Sequence, residues 1–129
     1  MTVCVIDEDP TTYVSLIGDF GVVLWFRTAE IFIADFVSKQ DDSVHAAVSI
    51  SDAVIVADVQ LAGISGIELI GHLRKRGLEI PVILVCRNAD VATAVHAIRQ
   101  GAADFVEKPI QASLLVNSIQ RFHAGDSRS

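Results

Sequence analysis

The sequence has few cysteines and prolines and no long apolar run. Its 129 residues include only two cysteines, Cys4 and Cys86, and three prolines. Each cysteine lies within or at the end of a predicted core strand, which favours reduced thiols and a cytoplasmic protein over a disulfide framework. A membrane span requires roughly 18 consecutive apolar residues, and no apolar stretch of this chain approaches that length. Acidic residues at positions 7 to 9 interrupt the N-terminal apolar run, so we expect no signal peptide.

Positive charge is also scarce. The chain has 10 basic and 16 acidic residues and a net charge of −6, which argues against direct nucleic-acid binding through electrostatic attraction. Its length and its hydrophobic fraction of 51% fit one domain with one buried core. We expect that domain to cover residues 1–123. The small and polar residues 124–129 are predicted to form a flexible tail or the start of a linker.

Strand-like and helix-like patterns alternate five times along the chain. The strands are predicted at Val3–Ile6, Val22–Phe26, Ala53–Ala57, Val82–Val85 and Ala103–Val106. The helices are predicted at Pro10–Asp19, Ala29–Ser38, Gly66–Arg76, Val91–Gln100 and Gln111–Phe122. Between the second helix and the third strand, Ser38–Asp52 is long and irregular, and its residues Val44–Ile50 could extend a helix or form a surface loop.

The predicted strands are continuous apolar runs, which is typical of a parallel sheet covered on both faces. Alternating strands and helices with short loops predict right-handed crossovers. The fold class is therefore predicted to be α/β, a doubly wound five-stranded parallel sheet in the order 2-1-3-4-5, which is a flavodoxin-like three-layer sandwich. Ser65 and Glu68 predict a capping box, and Asp90 can cap the fourth helix. An aromatic core cluster is predicted under the second helix: Trp25, Phe26, Phe32 and Phe36.

Charged residues follow three of the predicted strands. Asp7 and Glu8 follow the first strand, Asp58 follows the third, and Lys108 follows the fifth. Because the first and third strands are neighbours in the predicted order, these carboxylates would lie at one edge of the sheet. Two like charges about 4 Å apart repel by roughly 4 kcal/mol at an effective dielectric constant of 20. Magnesium is the natural counter-ion because it prefers oxygen ligands, and Lys108 adds a further positive charge.

Three motifs carry a resemblance to a known family. They are V-I-D-E-D-P at Val5–Pro10, A-D-V-Q-L-A-G-I-S-G-I-E-L at Ala57–Leu69, and G-A-A-D-F-V-E-K-P at Gly101–Pro109. With these motifs in this order, the chain resembles, over nearly its full length, the receiver domain of two-component response regulators of the transcription-regulator type.

The resemblance implies a role for each strand-end residue. Asp58 would accept a phosphoryl group, and Lys108 would pair with the phosphoryl oxygens. Asp7 and Glu8 would form the acidic pair that binds Mg²⁺, with Glu8 and Asp58 as direct ligands. The backbone carbonyl of Gln60 would complete the protein's share of the coordination.

The chain also departs from the family pattern. Cys86 takes the position of the serine or threonine that bonds the phosphoryl group, and a thiol is a weaker donor than a hydroxyl. Arg87 replaces a small residue and either reaches solvent or folds inward to pair with Asp58 or Glu8. Other features follow the pattern, since Lys108–Pro109 would be a cis peptide and Phe105 takes the place of the aromatic residue that reorients on activation.

The resemblance further implies a signalling function. A sensor histidine kinase or a small phosphodonor would supply the phosphoryl group. The domain would promote its own phosphorylation and dephosphorylation and would not be an enzyme for an external substrate. An output domain or a partner protein would act on transcription. Two copies of the domain could form a homodimer through the fourth and fifth helices. Membrane association and direct nucleic-acid binding by this domain are not expected.

Two other functions compete with this interpretation, and the second of them is remote. In a pseudo-receiver, Arg87 would replace the charge of the metal, and signalling would proceed by protein contact without phosphorylation. In a haloacid-dehalogenase-like phosphatase, Asp7 would be the nucleophile and Asp9 the acid-base residue. That family needs a further acidic strand end after its lysine, whereas only a predicted helix follows Lys108.

Overall fold

Five parallel strands form the central sheet in the part of the chain that the structure describes. The computed structural model of the chain describes residues 1–16, 20–38, 52–88 and 90–123. The strands are β1 (Thr2–Ile6), β2 (Val22–Phe26), β3 (Ala53–Asp58), β4 (Val82–Arg87) and β5 (Asp104–Lys108). They pair in parallel in the order β2-β1-β3-β4-β5. The predicted fold class and strand order are confirmed.

Helices connect the strands and cover both faces of the sheet. They are α1 (Thr11–Leu16), α2 (Ala29–Phe32), α3 (Gly66–Lys75), α4 (Val91–Arg99) and α5 (Ala112–Phe122). Residues Ile33–Val37 continue α2 as a π-helical turn, which the sequence pattern did not predict. In the part of the chain that the structure describes, no helix is long and apolar enough to cross a membrane.

The sheet separates the hydrophobic core into two layers. On one face, Ile55 and Leu84 belong to a cluster that includes residues of α2, α3 and α4. On the other face, Val56 and Ile83 belong to a cluster that includes Tyr13 of α1 and residues of α5. Every residue of β1 and β3 is buried. This explains why, apart from Thr2 at the start of β1, both strands are apolar up to the charged residue at their end.

The helix ends form as their capping signals predict. Ser65 Oγ accepts a hydrogen bond from the backbone N–H of Glu68 at 3.1 Å, and Glu68 Oε1 accepts one from the N–H of Ser65 at 2.9 Å. Asp90 Oδ1 accepts from the N–H of Thr93 at 2.7 Å. Because these caps satisfy N–H groups that have no partner within the helix, they fix where α3 and α4 begin.

Trp25 lies outside the aromatic core, so its predicted place was wrong. Phe26 and Phe36 pack against Phe32 under α2, with ring centroids 5.1 and 5.5 Å from that of Phe32. Successive residues of a strand point to opposite faces of the sheet, so Trp25 cannot share the face of Phe26. Its side chain lies on the α1 side at the edge strand β2, where the residue is 45% exposed.

Several predictions fall on residues outside the described ranges. These are the end of the first helix at residues 17–19, most of the irregular segment at residues 39–51, and the tail at residues 124–129. The choice between a helix extension and a loop at 44–50, and the domain bounds 1–123, therefore stay predictions.

Gly66, the first residue of α3, packs against the end of β3. A Cβ atom there would lie 2.6 Å from the carbonyl oxygen of Asp58 and 2.9 Å from Leu84 Cδ2. We therefore expect Gly66→Ala to displace the end of β3 and to lower the free energy of unfolding by about 1–3 kcal/mol, as measured by urea denaturation.

Gly71 provides a matched control on the same helix. A Cβ atom at Gly71 would meet nothing within 4 Å, so Gly71→Ala is expected to raise the free energy of unfolding by about 0.5–1 kcal/mol, because alanine favours a helix interior. If both substitutions changed stability by the same amount and in the same direction, the close approach at Gly66 would be contradicted.

Candidate functional site

The ammonium group of Lys108 lies between two carboxylates at the carboxyl edge of the sheet. Its Nζ is 3.1 Å from Asp7 Oδ2 and 2.8 Å from Asp58 Oδ2. The side chains of Lys108, Asp7 and Asp58 are 17%, 6% and 12% exposed. The ends of β1, β3 and β5 thus bring together three of the residues that the sequence singled out, as expected at the carboxyl ends of parallel strands.

Asp7 has two further hydrogen-bond donors. The backbone N–H of Asp9 donates to Oδ1 at 3.0 Å, and the hydroxyl of Tyr13 donates to Oδ2 at 2.7 Å. The indole N–H of Trp25 donates to the backbone carbonyl of Asp7 at 2.6 Å. Sequence reasoning missed the contacts of Tyr13 and Trp25. The available signal was chemical, since a tyrosine or tryptophan near the core needs a partner for its O–H or N–H.

Asp58 is oriented by the loop that follows β3. The backbone N–H of Gln60 donates to Asp58 Oδ1 at 2.8 Å, so among the described residues each carboxylate oxygen accepts one hydrogen bond. The loop is fixed further along, where the N–H of Ile64 donates to Glu30 Oε2 of α2 at 2.9 Å. Because the donor of Gln60 is its backbone N–H, this contact to Asp58 does not depend on the side chain at position 60.

Glu8 and Gln60 lie at the rim of the site, where both residues are exposed. Within the described ranges, the Glu8 side chain has no hydrogen bond or ion pair. The Glu8 residue is therefore exposed to solvent, whereas Asp7 and Asp58 are held by Lys108.

Cys86 is a buried, neutral group at the end of β4. The residue is 4% exposed, and its thiol donates a hydrogen bond to the carbonyl of Arg87 at 3.3 Å. Burial raises the pKa of the thiol, and the negative charge of Asp58 raises it further. Cys86 is therefore a weak donor beside the site and not a thiolate.

Arg87 reaches solvent, which is one of the two conformations that the sequence left open. The residue is exposed, and among the described residues it forms no ion pair with Asp58 or Glu8. It lines a pocket of about 260 Å³ together with Lys108, Pro109 and Thr12. The inward pairing that would let this guanidinium replace a metal ion is not present in the structure.

The end of β5 has the two features that the motif predicts there. The Lys108–Pro109 peptide is cis. Phe105 is half-buried and packs against the core layer beneath α2, α3 and α4.

The protonation of the central groups follows from their contacts. Burial alone would lower the pKa of Lys108, but its hydrogen bonds to Asp58 and Asp7 and their negative charges outweigh this effect and raise the pKa. Burial, followed by the bond to Asp7, raises the pKa of Tyr13. At neutral pH the ammonium is therefore charged, and the phenol is a neutral donor.

The donor atoms at this edge fit a hydrated Mg²⁺ ion. Asp7, Glu8 and Asp58 offer only hard oxygen ligands, and magnesium takes one or two carboxylates while keeping several waters. In residues 1–16, 20–38, 52–88 and 90–123, no three histidine, cysteine, aspartate or glutamate residues are grouped so that they could hold a metal ion by themselves. Direct coordination by Glu8, by Asp58 and by the Gln60 carbonyl stays a prediction.

A model of a protein family, described as the response regulator receiver domain, matches residues 3–120 of the chain. The chain belongs to this family. The matched range contains all of α1 to α4, β2 to β5 and the strand-end residues Asp7, Asp58 and Lys108. The resemblance inferred from the three motifs is thereby confirmed for the receiver domain as a whole.

Curated relatives of this receiver domain are transcriptional regulators. It is 30% identical over 119 residues to the transcriptional regulatory protein FixJ of Rhizobium meliloti (strain 1021), covering 89% of this chain and 52% of that protein. It is 43% identical over 68 residues to the C4-dicarboxylate transport transcriptional regulatory protein DctD of Pseudomonas aeruginosa, covering 53% of this chain and 15% of that protein. The chain thus spans about half of the length of these relatives or less.

A solved structure agrees with the fold and the family. The response regulator receiver protein from Pseudoalteromonas atlantica has a TM-score of 0.76 and 30% identity to this chain, with 95% of this chain and 96% of that chain covered.

Replacing Lys108 is expected to leave Asp7 and Asp58 as unpaired charges. Lys108→Met should lower the free energy of unfolding at pH 7 by about 2 kcal/mol, the scale of a hydrogen bond to a charged group. Since the folded state raises the pKa of Lys108, its stabilisation is complete below the ordinary pKa of about 10.4 and is lost as pH rises through the higher folded value.

Urea denaturation at a series of pH values checks this prediction. The stability difference between the wild type and Lys108→Met should stay constant up to about pH 10 and decrease above it. Lys75→Met, at an exposed position on α3, is the control and should change stability by no more than about 0.5 kcal/mol. A loss at Lys108 no greater than that at Lys75 would contradict the central role of this ammonium.

Proposed function

We propose that this receiver domain accepts a phosphoryl group on Asp58 from a sensor histidine kinase and thereby switches a downstream output, which is transcription. The observation that carries the proposal is the Lys108 ammonium 2.8 Å from Asp58 Oδ2. A cation at that distance can neutralise the charge of phosphoryl oxygens on the same carboxylate. Membership of the receiver family supports the proposal.

The reaction would transfer a phosphoryl group from a histidine nitrogen of the kinase to a carboxylate oxygen of Asp58. A carboxylate oxygen of Asp58 would form a bond to phosphorus while the bond from phosphorus to the histidine nitrogen of the kinase breaks. The transition state of such a transfer is loose, so the protein mainly aligns the partners and neutralises charge. The N–H of Gln60 would hold the Asp58 carboxylate in place, and Lys108 would neutralise the incoming oxygens.

Asp7, Glu8 and Asp58 would hold Mg²⁺, with the backbone carbonyl of Gln60 as a further ligand. When bound, the cation supplies positive charge that screens the phosphoryl oxygens from the acidic residues. The two buried carboxylates are already held in direction by their hydrogen bonds, whereas the exposed Glu8 would close the site from the rim.

The domain would promote its own phosphorylation and dephosphorylation without turning over an external substrate. The phosphatase alternative requires Asp7 as a free nucleophile. Asp7 is 4% exposed and accepts hydrogen bonds from Asp9, Tyr13 and Lys108. Among the described residues, Asp58 accepts only two hydrogen bonds, from Gln60 and Lys108. Its carboxylate therefore keeps more lone pairs for attack on phosphorus, and Asp58 is the better candidate.

The pseudo-receiver alternative depends on Arg87 taking the place of the metal charge. Because Arg87 is exposed and, among the described residues, does not pair with Asp58 or Glu8, the structure gives no support for that substitution. Cys86 remains the more consequential departure, since its thiol would bond a phosphoryl oxygen more weakly than a hydroxyl does.

Relatives that regulate transcription suggest the kind of output. FixJ and DctD are named as transcriptional regulatory proteins, and we propose that this domain controls an output domain or partner protein of that kind in the cytoplasm. Several apolar side chains on α4 and α5 are exposed: Val91, Val95, Ile98 and Leu114. We propose this surface as the homodimer contact.

Intact-mass measurement after incubation with acetyl phosphate and Mg²⁺ tests the proposed phosphorylation. We expect a gain of about 80 Da, the mass of one phosphoryl group in place of a proton, and its loss in Asp58→Asn. Asp90→Asn is the matched control, because asparagine caps a helix as well as aspartate does, and it should keep the mass gain. Phosphorylation that survives in Asp58→Asn would refute Asp58 as the acceptor.

Cys86 and Arg87 can be tested in the same assay. Cys86→Thr supplies an O–H donor at the end of β4, so we expect a longer-lived phosphorylated form, with a half-life increased by about 3–10-fold on the scale of one improved hydrogen bond. Arg87→Ala should leave phosphorylation in place, since Arg87 does not occupy the site. A mass gain that appears only in Arg87→Ala would instead favour the pseudo-receiver.

A further inference from the structure

Tyr13 places a neutral hydrogen-bond donor on the same oxygen that Lys108 contacts. Its hydroxyl donates to Asp7 Oδ2 at 2.7 Å, and Lys108 Nζ is 3.1 Å from that atom. The residue is 2% exposed and belongs to the core cluster between the sheet and α5. Because the ring is fixed by packing, the hydroxyl cannot turn to solvent and remains directed at Asp7.

Asp7 is consequently almost saturated with donors. An ionised carboxylate has about four lone-pair positions. The N–H of Asp9 occupies one on Oδ1, and Tyr13 and Lys108 occupy two on Oδ2. A cation that approaches this side of Asp7 meets an oxygen whose negative charge is already shared between two donors.

We propose that Tyr13 is a positioning residue that acts through Asp7 and lowers the affinity of this site for Mg²⁺. Its hydroxyl gives the Asp7 carboxylate part of the positive potential that a bound cation would otherwise provide. This inference rests on the proposed function, because it concerns the cation of the same site. The O–H dipole points its positive end at Asp7, so it stabilises the ionised carboxylate when no cation is bound. The same dipole opposes a second positive charge at that oxygen.

The hydroxyl can be removed without disturbing the packing of the ring. Tyr13→Phe keeps the aromatic ring in the core and removes only the bond to Asp7. Without Mg²⁺, we expect a lower melting temperature than that of the wild type, because Asp7 loses a donor. In saturating Mg²⁺ the difference should shrink, because a ligand stabilises the folded state more when it binds more tightly.

The measurement is the melting temperature of the full chain as a function of Mg²⁺ concentration, from EDTA to saturation. Tyr13→Phe should bind Mg²⁺ about five-fold more tightly than the wild type. Thr11→Val is the matched control, because it removes another hydroxyl of α1 that donates to a carboxylate, Asp9 Oδ1, at 2.7 Å. This control should respond to Mg²⁺ as the wild type does.

A second change to the same side chain should alter the affinity for Mg²⁺ in the opposite direction. It also tests the inference if Tyr13→Phe fails to fold. Tyr13 is the only tyrosine of the chain, so growth with 3-fluorotyrosine replaces this side chain alone. Fluorination makes the phenol a stronger donor, and we expect Mg²⁺ to bind more weakly than to the wild type.

Each outcome of the titration decides the inference. If Tyr13→Phe lowers the melting temperature equally with and without Mg²⁺, the hydroxyl is only structural, and the inference fails while the proposed function stands. Weaker Mg²⁺ binding in Tyr13→Phe would also overturn it, because the hydroxyl would then prepare Asp7 for the cation. If Mg²⁺ stabilises neither protein, the metal part of the proposed function fails and the inference fails with it.

Discussion

A single ammonium group makes the carboxyl edge of this sheet possible. Asp7 and Asp58 end neighbouring strands, and two carboxylates so close together and so little exposed would repel each other and lose their hydration. Lys108 comes from β5, which is separated from β3 by β4, and its long side chain reaches both acids. The parallel arrangement of the strands is therefore what allows two negative charges to be buried at all, because it puts the compensating charge at the same edge.

The groups around Lys108 orient the two acids and add little further charge to the site. Backbone N–H groups of Asp9 and Gln60 orient the two acids. Cys86 and Arg87 at the end of β4 contribute little polarity towards the site, because the thiol bonds to the neighbouring carbonyl and the guanidinium is exposed. A phosphoryl group on Asp58 would thus depend on Lys108 and on a bound cation more heavily than in a receiver with a hydroxyl at position 86.

Much of this could be predicted from the sequence, because its signals are local. Apolar runs that end in a charge identified β1, β3 and β5, and helix-capping residues such as Ser65 and Asp90 identified where helices begin. The meeting of Asp7, Asp58 and Lys108 followed from strand order alone. The contacts of Tyr13 and Trp25 were missed because they depend on how a helix and an edge strand are placed over the end of β1. The direction of Arg87 was open for a different reason, because a long exposed side chain has several conformations of similar energy.

The bond between Trp25 and Asp7 joins the outermost strand to the centre of the site. The only tryptophan of the chain donates its indole N–H to the main-chain carbonyl of Asp7 at 2.6 Å while 45% of the residue remains exposed. The emission of an indole that is partly in water depends on its hydrogen-bond partner, so it changes when that partner is displaced. We therefore expect the fluorescence of Trp25 to respond, without an added label, when the main chain at Asp7 is displaced.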